Sequence, residues 1–395
     1  MIVAAQEKRN KSLEGGTTLD LSFSQEQEML WKSARDFLAN RCPKTMVRAM
    51  EQDERGYSPE IWKEMADLGW LGLPFPEKYN GGGFSFLDLI VLMEEMGRAC
   101  LPGPFLSTVV LGGLPILEWG TEEQKQQILP KICKGEAILT LALTESSARY
   151  DAASIRTSAT RKGDDYLISG TKLFVPDAHI ADWIICVTRT AKKANHEEGI
   201  TLFLVDAKSP GISTVLLSTI AGDKQCELTL KNVRVPRGNI LGKLDQGWEM
   251  VKRIIEWAAL AKSAEMVGGN QQVMEMTINY AKERIQFDRP IGSFQIIQHY
   301  LADMSIDVDS ARVSLYKAAW KLSEGLPCTN EISVAKGWIS EAYRRVATQA
   351  HQIHGAVGFT KEHDLELYFR RAKAGEVFFG DTDFHCEVVA QQLGL

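Results

Sequence analysis

The stretch Gln352-Ile353-His354-Gly355-Ala356-Val357-Gly358-Phe359 separates two segments whose apolar residues have helical spacing. Glycine accepts backbone conformations that other residues avoid, and its missing side chain lets a ligand approach the backbone closely. We therefore expect a tight turn between two helices here, at which Gly355 and Gly358 would admit something large and flat, or anionic. A plain helix end capped by glycine fits the same pattern, so the turn alone does not decide between the two readings.

Long helical segments surround this turn and continue to the end of the chain. The pattern predicts four of them, which together indicate a four-helix bundle, over residues 247–284, 293–323, 329–356 and 363–390. The predicted C-terminal helical domain covers residues 243–395. The stretch Phe378-Phe379-Gly380-Asp381 predicts a loop, in which Asp381 would cap the helix that follows.

Two other regions precede this bundle. Over residues 139–242 β-branched residues become frequent and short turns appear, which predicts a middle β-barrel or β-sandwich domain. Residues 21–138 carry helix starts such as Ser24 with Gln27 three positions later, and they predict an all-α N-terminal domain. Residues 1–20 are polar and are expected to form a flexible leader. The expected fold class is therefore α+β, in the order α, β, α.

Composition excludes several classes of protein. With a net charge of −6 over 395 residues, the chain has no general basic character, so nucleic acid is not an expected partner. The seven cysteines include no C-x-x-C pair, which argues against a zinc site or a disulfide framework and favours a reducing cytoplasm. No apolar run is long enough to span a membrane, and we expect neither a membrane segment nor a metal.

Several short motifs occur in a fixed order along the chain. Beside the Gln352 turn, they are Gly120-Thr121-Glu122-Glu123-Gln124-Lys125, Ala142-Leu143-Thr144-Glu145, Gly170-Thr171-Lys172-Leu173-Phe174, Val233-Arg234-Val235-Pro236, Arg284-Ile285-Gln286-Phe287, Pro290-Ile291-Gly292-Ser293-Phe294-Gln295 and Tyr368-Phe369-Arg370-Arg371-Ala372-Lys373. With the α, β, α order, they make the chain resemble an acyl-CoA dehydrogenase over about residues 22–390.

The resemblance implies a cofactor, a substrate and partners. It implies FAD, an acyl-CoA thioester and hydride transfer from the β-carbon of the substrate to the flavin. It also implies a dimer or a dimer of dimers, because each flavin of the family lies across two subunits, and an electron-transfer flavoprotein as electron acceptor. Arg284 would meet the FAD pyrophosphate, a role that suits a guanidinium fork, and Phe287 would lie near the adenine. Gln295 and the Gln352–Ala356 turn of the neighbouring subunit would line the dinucleotide.

The predicted surroundings of the flavin ring depart from the family's pattern. Leu143 and Thr144 would hydrogen-bond the ring, as the resemblance implies. On the strand that faces it, Phe174 and Pro176 replace parts of a Trp-x-Thr-Asn motif, and proline supplies neither the N–H nor the hydroxyl that would meet flavin N5. The Arg149-Tyr150 pair replaces a glycine-rich loop and would reshape the acyl or CoA entrance, or Arg149 could instead bind an acidic substrate group or a CoA phosphate.

The catalytic base of the family is missing from both of its usual positions. Removal of the α-proton needs a carboxylate over the α-carbon. The two positions hold Phe379 and Ala258, and Ala259 replaces the arginine that usually follows the second one. Asp381 is the candidate for an unusual base, although it would also serve as a helix cap. Glu256 lies about 200° around the helix from Ala258, which would direct it to the CoA chain or to solvent.

Four functions remain open at this point. The chain could be a self-sufficient dehydrogenase for a bulky, cyclic or dicarboxylic thioester, with Asp381 as base. It could be one subunit of a hetero-oligomer whose partner supplies the base, which the loss of both base positions favours. It could be a scaffold that shares flavin without catalysis, or a flavin monooxygenase or desulfinase on the same fold, for which no α-proton base is needed.

Overall fold

The computed structural model describes residues 22–395, so the predicted leader, residues 1–20, lies outside the described residues. The N-terminal region is helical, as expected. Its α-helices are α1 (Gln25–Arg41), α2 (Lys44–Gln52), α3 (Pro59–Asp67), α4 (Phe86–Ala99), α5 (Leu114–Trp119) and α6 (Glu122–Cys133), with a π-helical segment at Leu106–Gly113. The predicted cap of α1 is confirmed, because the Ser24 hydroxyl accepts a hydrogen bond from the Gln27 N–H and the Gln27 side-chain oxygen accepts one from the Ser24 N–H.

The middle region forms one eight-stranded sheet. Its strands are β1 (Leu139–Ala142), β2 (Ser158–Lys162), β3 (Asp165–Pro176), β4 (Trp183–Arg189), β5 (Ile200–Asp206), β6 (Ile212–Leu217), β7 (Gln225–Pro236) and β8 (Ile240–Leu241). The order along the sheet is β6-β7-β3-β2-β4-β5-β8, with β1 added parallel to β4. Strands β4 and β5 are almost continuously apolar and are buried, as the sequence predicts.

The C-terminal region contains the long helices of the predicted bundle. They are α7 (Trp248–Glu283), α8 (Gln295–Ser323), α9 (Thr329–His354), α10 (Leu365–Val377) and α11 (Thr382–Gln392). Helix α9 packs against all four of the others and so forms the centre of the bundle. A small hairpin, β9 (Ile285–Gln286) with β10 (Arg289–Pro290), joins α7 to α8.

The prediction of one continuous last helix over residues 363–390 was wrong. It is broken between α10 and α11 by the loop Phe378–Asp381, where the sequence also predicts a loop. The reason lies in the backbone, since Phe379 has a φ of 56° and Gly380 a φ of 100°, and a right-handed helix cannot pass through such angles. The break places this loop at the junction with the β-domain.

The N-terminal region docks closely on the bundle. Helix α4 packs along α7, and Gly97 and Gly268 lie at the contact. A Cβ at Gly268 would come within 1.8 Å of the Glu94 carbonyl oxygen, so only glycine lets the two backbones approach this closely. The α+β fold class, with helical ends and a middle β-domain, is confirmed. Within residues 22–395, no helix combines the length and apolar character needed to cross a membrane.

Candidate active site

A cavity of about 720 Å³ lies where the β-domain meets the bundle. This volume falls in the range of small-molecule sites. Half of the residues that the sequence analysis proposed for the site line this cavity, namely Leu143, Thr144, Arg149, Tyr150, Phe174, Pro176 and Asp381. The structure therefore brings together, at one place, residues from β1, β3, the loop after β1 and the loop between α10 and α11.

A buried ion pair fixes the backbone that carries Thr144. Lys172 on β3 is fully buried, and its Nζ donates to the Glu145 carboxylate (2.7 Å) and to the carbonyl oxygen of Leu143 (3.0 Å). The Leu173 N–H donates to the Thr144 carbonyl oxygen (2.9 Å). Burial opposes the charge of Glu145, but the Lys172 ammonium and the hydrogen bonds from Lys172 and Thr157 together outweigh it and keep the pKa of that carboxyl below its usual value. This role of Lys172 was not predicted, because a lysine in the strand that carries Phe174 is its only signal in the sequence.

The end of β3 is irregular where it enters the cavity. The pairing of β3 with β7 shifts register between Lys172 and Val175, and Phe174 has a φ of 53°. This bulge turns the Phe174 ring towards the cavity, which it lines together with Pro176. Next to them, Asp177 accepts a hydrogen bond from the Ser107 hydroxyl (2.6 Å), and burial raises the pKa of Asp177 to about 7.

Three side chains hold the loop Phe378–Asp381 through its backbone. The Phe379 N–H donates to the Tyr150 hydroxyl (3.1 Å), and His385 Nε2 donates to the Phe379 carbonyl oxygen (3.1 Å). Lys336 Nζ donates to the carbonyl oxygens of Gly380 (2.8 Å) and Glu376 (3.0 Å). Burial is the main cause that lowers the pKa of Lys336 to about 7 and that of His385 to about 4. Neither residue was singled out from the sequence, because each acts only through the tertiary fold.

No side chain at the two positions where the resemblance places the base can accept a proton. Phe379 is 5% exposed and lies against the Tyr150 ring, with 6.4 Å between the centroids, and Ala258 is fully buried in α7. Asp381 reaches the cavity, but one of its oxygens accepts a hydrogen bond from the Phe384 N–H (2.9 Å) and caps α11. The expected cap is confirmed, and the role of Asp381 as base stays a prediction.

Six other predicted residues do not line this cavity. They lie at the exposed end of the bundle, on the β9–β10 hairpin, the start of α8 and the turn after α9, and are Arg284, Phe287, Gln295, Gln352, Gly355 and Ala356. The hairpin and the turn are neighbours, because Tyr280 one turn before Arg284 stacks on His354, with 4.3 Å between the ring centroids. Phe287 is 86% exposed with a φ of 53°.

Glu256 lies apart from both groups. Its carboxylate pairs with Arg253 (2.9 Å) and accepts a hydrogen bond from the Thr329 hydroxyl (2.6 Å). Glu256 does not line the cavity, and its proposed contact with CoA stays a prediction.

Comparison with known proteins accounts for this arrangement. The chain matches the acyl-CoA dehydrogenase N-terminal domain over residues 24–136, the middle domain over 140–233 and the C-terminal domain over 245–394. The chain belongs to the acyl-CoA dehydrogenase family. It is similar to the probable acyl-CoA dehydrogenase YngJ of Bacillus subtilis, with 34% identity over 95% of this chain and 100% of that protein. The solved butyryl-CoA dehydrogenase of Megasphaera elsdenii superposes with a TM-score of 0.89 at 30% identity, covering 95% of this chain and 100% of that one.

Two further similarities involve complexes. The caffeyl-CoA reductase–Etf complex subunit CarC of Acetobacterium woodii is 31% identical over 94% of this chain and 99% of its own length. The solved ChsE4–ChsE5 complex of Mycobacterium tuberculosis has a TM-score of 0.87 at 28% identity, covering 95% of this chain and 99% of that chain. The names of both proteins include a partner.

Acyl-CoA dehydrogenases bind FAD and are oxidoreductases that act on CH–CH groups, so the expected family, cofactor and enzyme class are confirmed. The residues of this chain fit FAD. The Arg284 guanidinium makes no hydrogen bond or ion pair within residues 22–395, which leaves its donors for a phosphate. A Cβ at Gly355 would meet nothing within 4 Å, so the turn leaves open space beside its backbone.

Proposed function

We propose that this chain is one subunit of an acyl-CoA dehydrogenase built from two different chains. The partner chain would supply the carboxylate that removes the α-proton of the thioester. This chain would contribute Arg284, Gln295 and the Gln352–Ala356 turn to an FAD shared between the subunits. When bound, FAD supplies the hydride acceptor for the β-carbon.

The observation that carries this proposal is the aromatic pair at the base position. A general base must reach the α-carbon through a group that takes up a proton. Phe379 and Tyr150 occupy that side of the cavity, and the amide of Phe379 is itself bonded to the Tyr150 hydroxyl. A phenyl ring takes no proton, and burial raises the pKa of Tyr150, so its hydroxyl stays protonated at neutral pH.

Exposed apolar side chains support an oligomer at two places. The exposed end of the bundle, which carries Arg284 and the Gln352–Ala356 turn, exposes Ile285, Phe287, Ile296 and Phe359. A second face on α8 and α9 exposes Ile306, Val313, Val334 and Trp338, and the Trp338 indole donates to Ser310 on α8 (2.9 Å). Clustered exposed apolar residues of this kind mark protein–protein contacts. Two such faces on one subunit suit a dimer of dimers.

The similar complexes support a partner and an electron acceptor. The ChsE4–ChsE5 structure is a complex of two named components, which is the arrangement proposed here. The name of CarC joins a CoA thioester reductase to Etf, and we propose an electron-transfer flavoprotein for this chain too. Because that relative is named a reductase, we propose that the electron partner determines whether this chain's reaction runs as an oxidation or as a reduction.

A second candidate is a self-sufficient dehydrogenase with Asp381 as base. It is favoured by the position of Asp381, which is exposed and lines the cavity two residues after Phe379. A bulky, cyclic or dicarboxylic acyl group would suit a site reshaped by Arg149 and Tyr150.

The two candidates differ in what the purified chain does alone. The hetero-oligomer predicts that the chain retains little flavin until a sister chain is added, and that only the mixture is bleached anaerobically by an acyl-CoA. Asp381→Asn is then expected to leave turnover unchanged, since asparagine caps helices as well as aspartate does. A chain that is yellow alone, is bleached by a thioester and loses this activity in Asp381→Asn would overturn the proposal in favour of the second candidate.

A further inference from the structure

A second, smaller cavity adjoins the main one where the bundle meets α4 and the segment between β6 and β7. It has a volume of about 70 Å³ and shares Asp223, Ala374 and Phe378 with the main cavity. Phe378 directly precedes Phe379, the residue at the base position. In the proposed ligand class, the α-carbon lies at the base position, so the acyl chain beyond it extends from there. The second cavity is therefore placed to receive the far end of an acyl group.

An arginine without a partner lines this second cavity. Arg371 stands on α10, its Nε is inaccessible to solvent, and that atom has no hydrogen-bond partner. No hydrogen bond or ion pair of the Arg371 guanidinium occurs anywhere in the described part of the chain, residues 22–395. A buried donor left unpaired costs free energy, and it costs more when the group is charged. Such a group is expected to be satisfied by a ligand or by water.

The other charges around the cavity already have partners. Lys262 binds Glu265 one turn further along α7 (2.5 Å) and lies over the Phe378 ring. The Asp223 carboxylate accepts hydrogen bonds from the Gln225 amide (2.5 Å) and from the Thr219 hydroxyl (2.7 Å). These acidic groups act on Arg371 through space without contacting it. The guanidinium thus presents its donors to the cavity, where an acceptor oxygen would form hydrogen bonds with them.

We propose that Arg371 recognises an oxygen acceptor at the far end of the acyl group. The acceptor is the oxygen of a carboxylate or of a ketone, and a purely hydrocarbon acyl group would leave the guanidinium unpaired. This inference rests on the acyl-CoA ligand class of the proposed function, but it does not depend on which chain supplies the base. It makes Arg371 a specificity-determining residue.

Equilibrium binding tests this inference. The full-length, FAD-loaded protein, with its sister chain where flavin retention requires one, is titrated by calorimetry with acyl-CoA thioesters of equal chain length. Their far ends carry a methyl group, a carboxylate or a ketone. We expect an oxygen-bearing thioester to bind about tenfold or more tightly than its hydrocarbon counterpart, because charge-assisted hydrogen bonds form only with the former.

Variants in this chain assign the preference to Arg371. Arg371→Met keeps the length of the side chain but removes its charge and donors, and it should abolish the preference while hydrocarbon binding stays unchanged. Arg371→Lys should retain part of the preference for the carboxylate, and it covers the case in which the methionine variant fails to fold. Lys373→Met is the matched control, since Lys373 stands on the same helix and lines neither cavity.

The outcomes are distinct. A preference for the carboxylate alone identifies an anionic acyl group, and an equal preference for the ketone identifies a neutral acceptor. Equal binding of all three thioesters, or a preference that survives in Arg371→Met, would overturn the inference and leave water as the partner of the guanidinium. The hetero-oligomer is judged separately, by turnover that depends on the sister chain.

Discussion

Replacing Lys336 with methionine tests how the loop Phe378–Asp381 is held beneath the cavity. Lys336 lies on the central helix α9, is fully buried, and donates to the carbonyl oxygens of Glu376 and Gly380 and to the Ser340 hydroxyl. Methionine fills a similar volume but offers no donor. The two carbonyl groups would then be left unpaired, at about 1–3 kcal/mol each.

The size of the effect depends on pH, because the lysine is neutral in the folded protein at alkaline pH. Burial first, and then the nearby charge of Lys262, lower the pKa of Lys336 from 10.5 to about 7, against the opposing pull of Asp381 and Glu376. That fall corresponds to roughly 5 kcal/mol against the charged form. The unfolded chain keeps this lysine protonated up to its ordinary pKa, so unfolding takes up a proton above about pH 7. The contribution of Lys336 to stability therefore rises with pH.

Urea unfolding followed by circular dichroism measures this difference. Between about pH 7 and about pH 8.5, the wild-type protein should gain about 1.5 kcal/mol of unfolding free energy relative to Lys336→Met. The comparison between the two proteins cancels the contribution of the buried thiols, which is the same in both. Lys317→Met, at an exposed position on α8, is the control and should follow the wild type. If the unfolding free energies of wild type and Lys336→Met change with pH in parallel, Lys336 does not lose its proton in the folded protein over this pH range.

Three further predictions follow from the site. Lys172→Met should lower the unfolding free energy by about 3–5 kcal/mol, because it leaves the buried Glu145 charge without a partner. Adding Glu145→Leu should recover much of that loss in urea titrations. If the double variant recovers nothing, the loss does not come from the ion pair. Arg284→Gln should weaken flavin retention by about tenfold without changing the melting of the flavin-free chain, because the guanidinium has no partner among residues 22–395. Phe379→Glu should raise solvent exchange of the α-proton of a bound acyl-CoA by about hundredfold or more, and Phe379→Gln should not; equal exchange in both would place the α-carbon elsewhere.

Much of the fold could be predicted because it depends on local sequence patterns. The cap at Ser24 and the buried runs of β4 and β5 depend on residues a few positions apart. The break in the last helix was harder, because the spacing of apolar residues continues across it. Only Gly380 signalled it, and the left-handed conformation of Phe379 has no signature in the sequence.

Site residues that belong to a sequence motif could be predicted, whereas those that reach the site only through tertiary contacts could not. The resemblance pointed to Thr144 and Phe174, and both line the cavity. It could not reveal Lys336 or His385, which reach the loop from other elements. It also could not show that Arg371, quoted as part of a motif, lies unpaired beside a second cavity, since neighbours distant along the chain decide both facts.

The way in which the loop Phe378–Asp381 is anchored separates its chemistry from its architecture. Tyr150, Lys336 and His385 make their hydrogen bonds to main-chain atoms of the loop and its approach, so these bonds do not depend on which side chain stands at position 379. A lineage could therefore exchange a catalytic acid for a phenyl ring there and keep the same chain path. A substitution at this position can therefore add or remove a catalytic side chain while the main-chain hydrogen bonds of the loop stay. In the pair of chains proposed above, one gene copy could lose its catalytic side chain in this way and keep its fold.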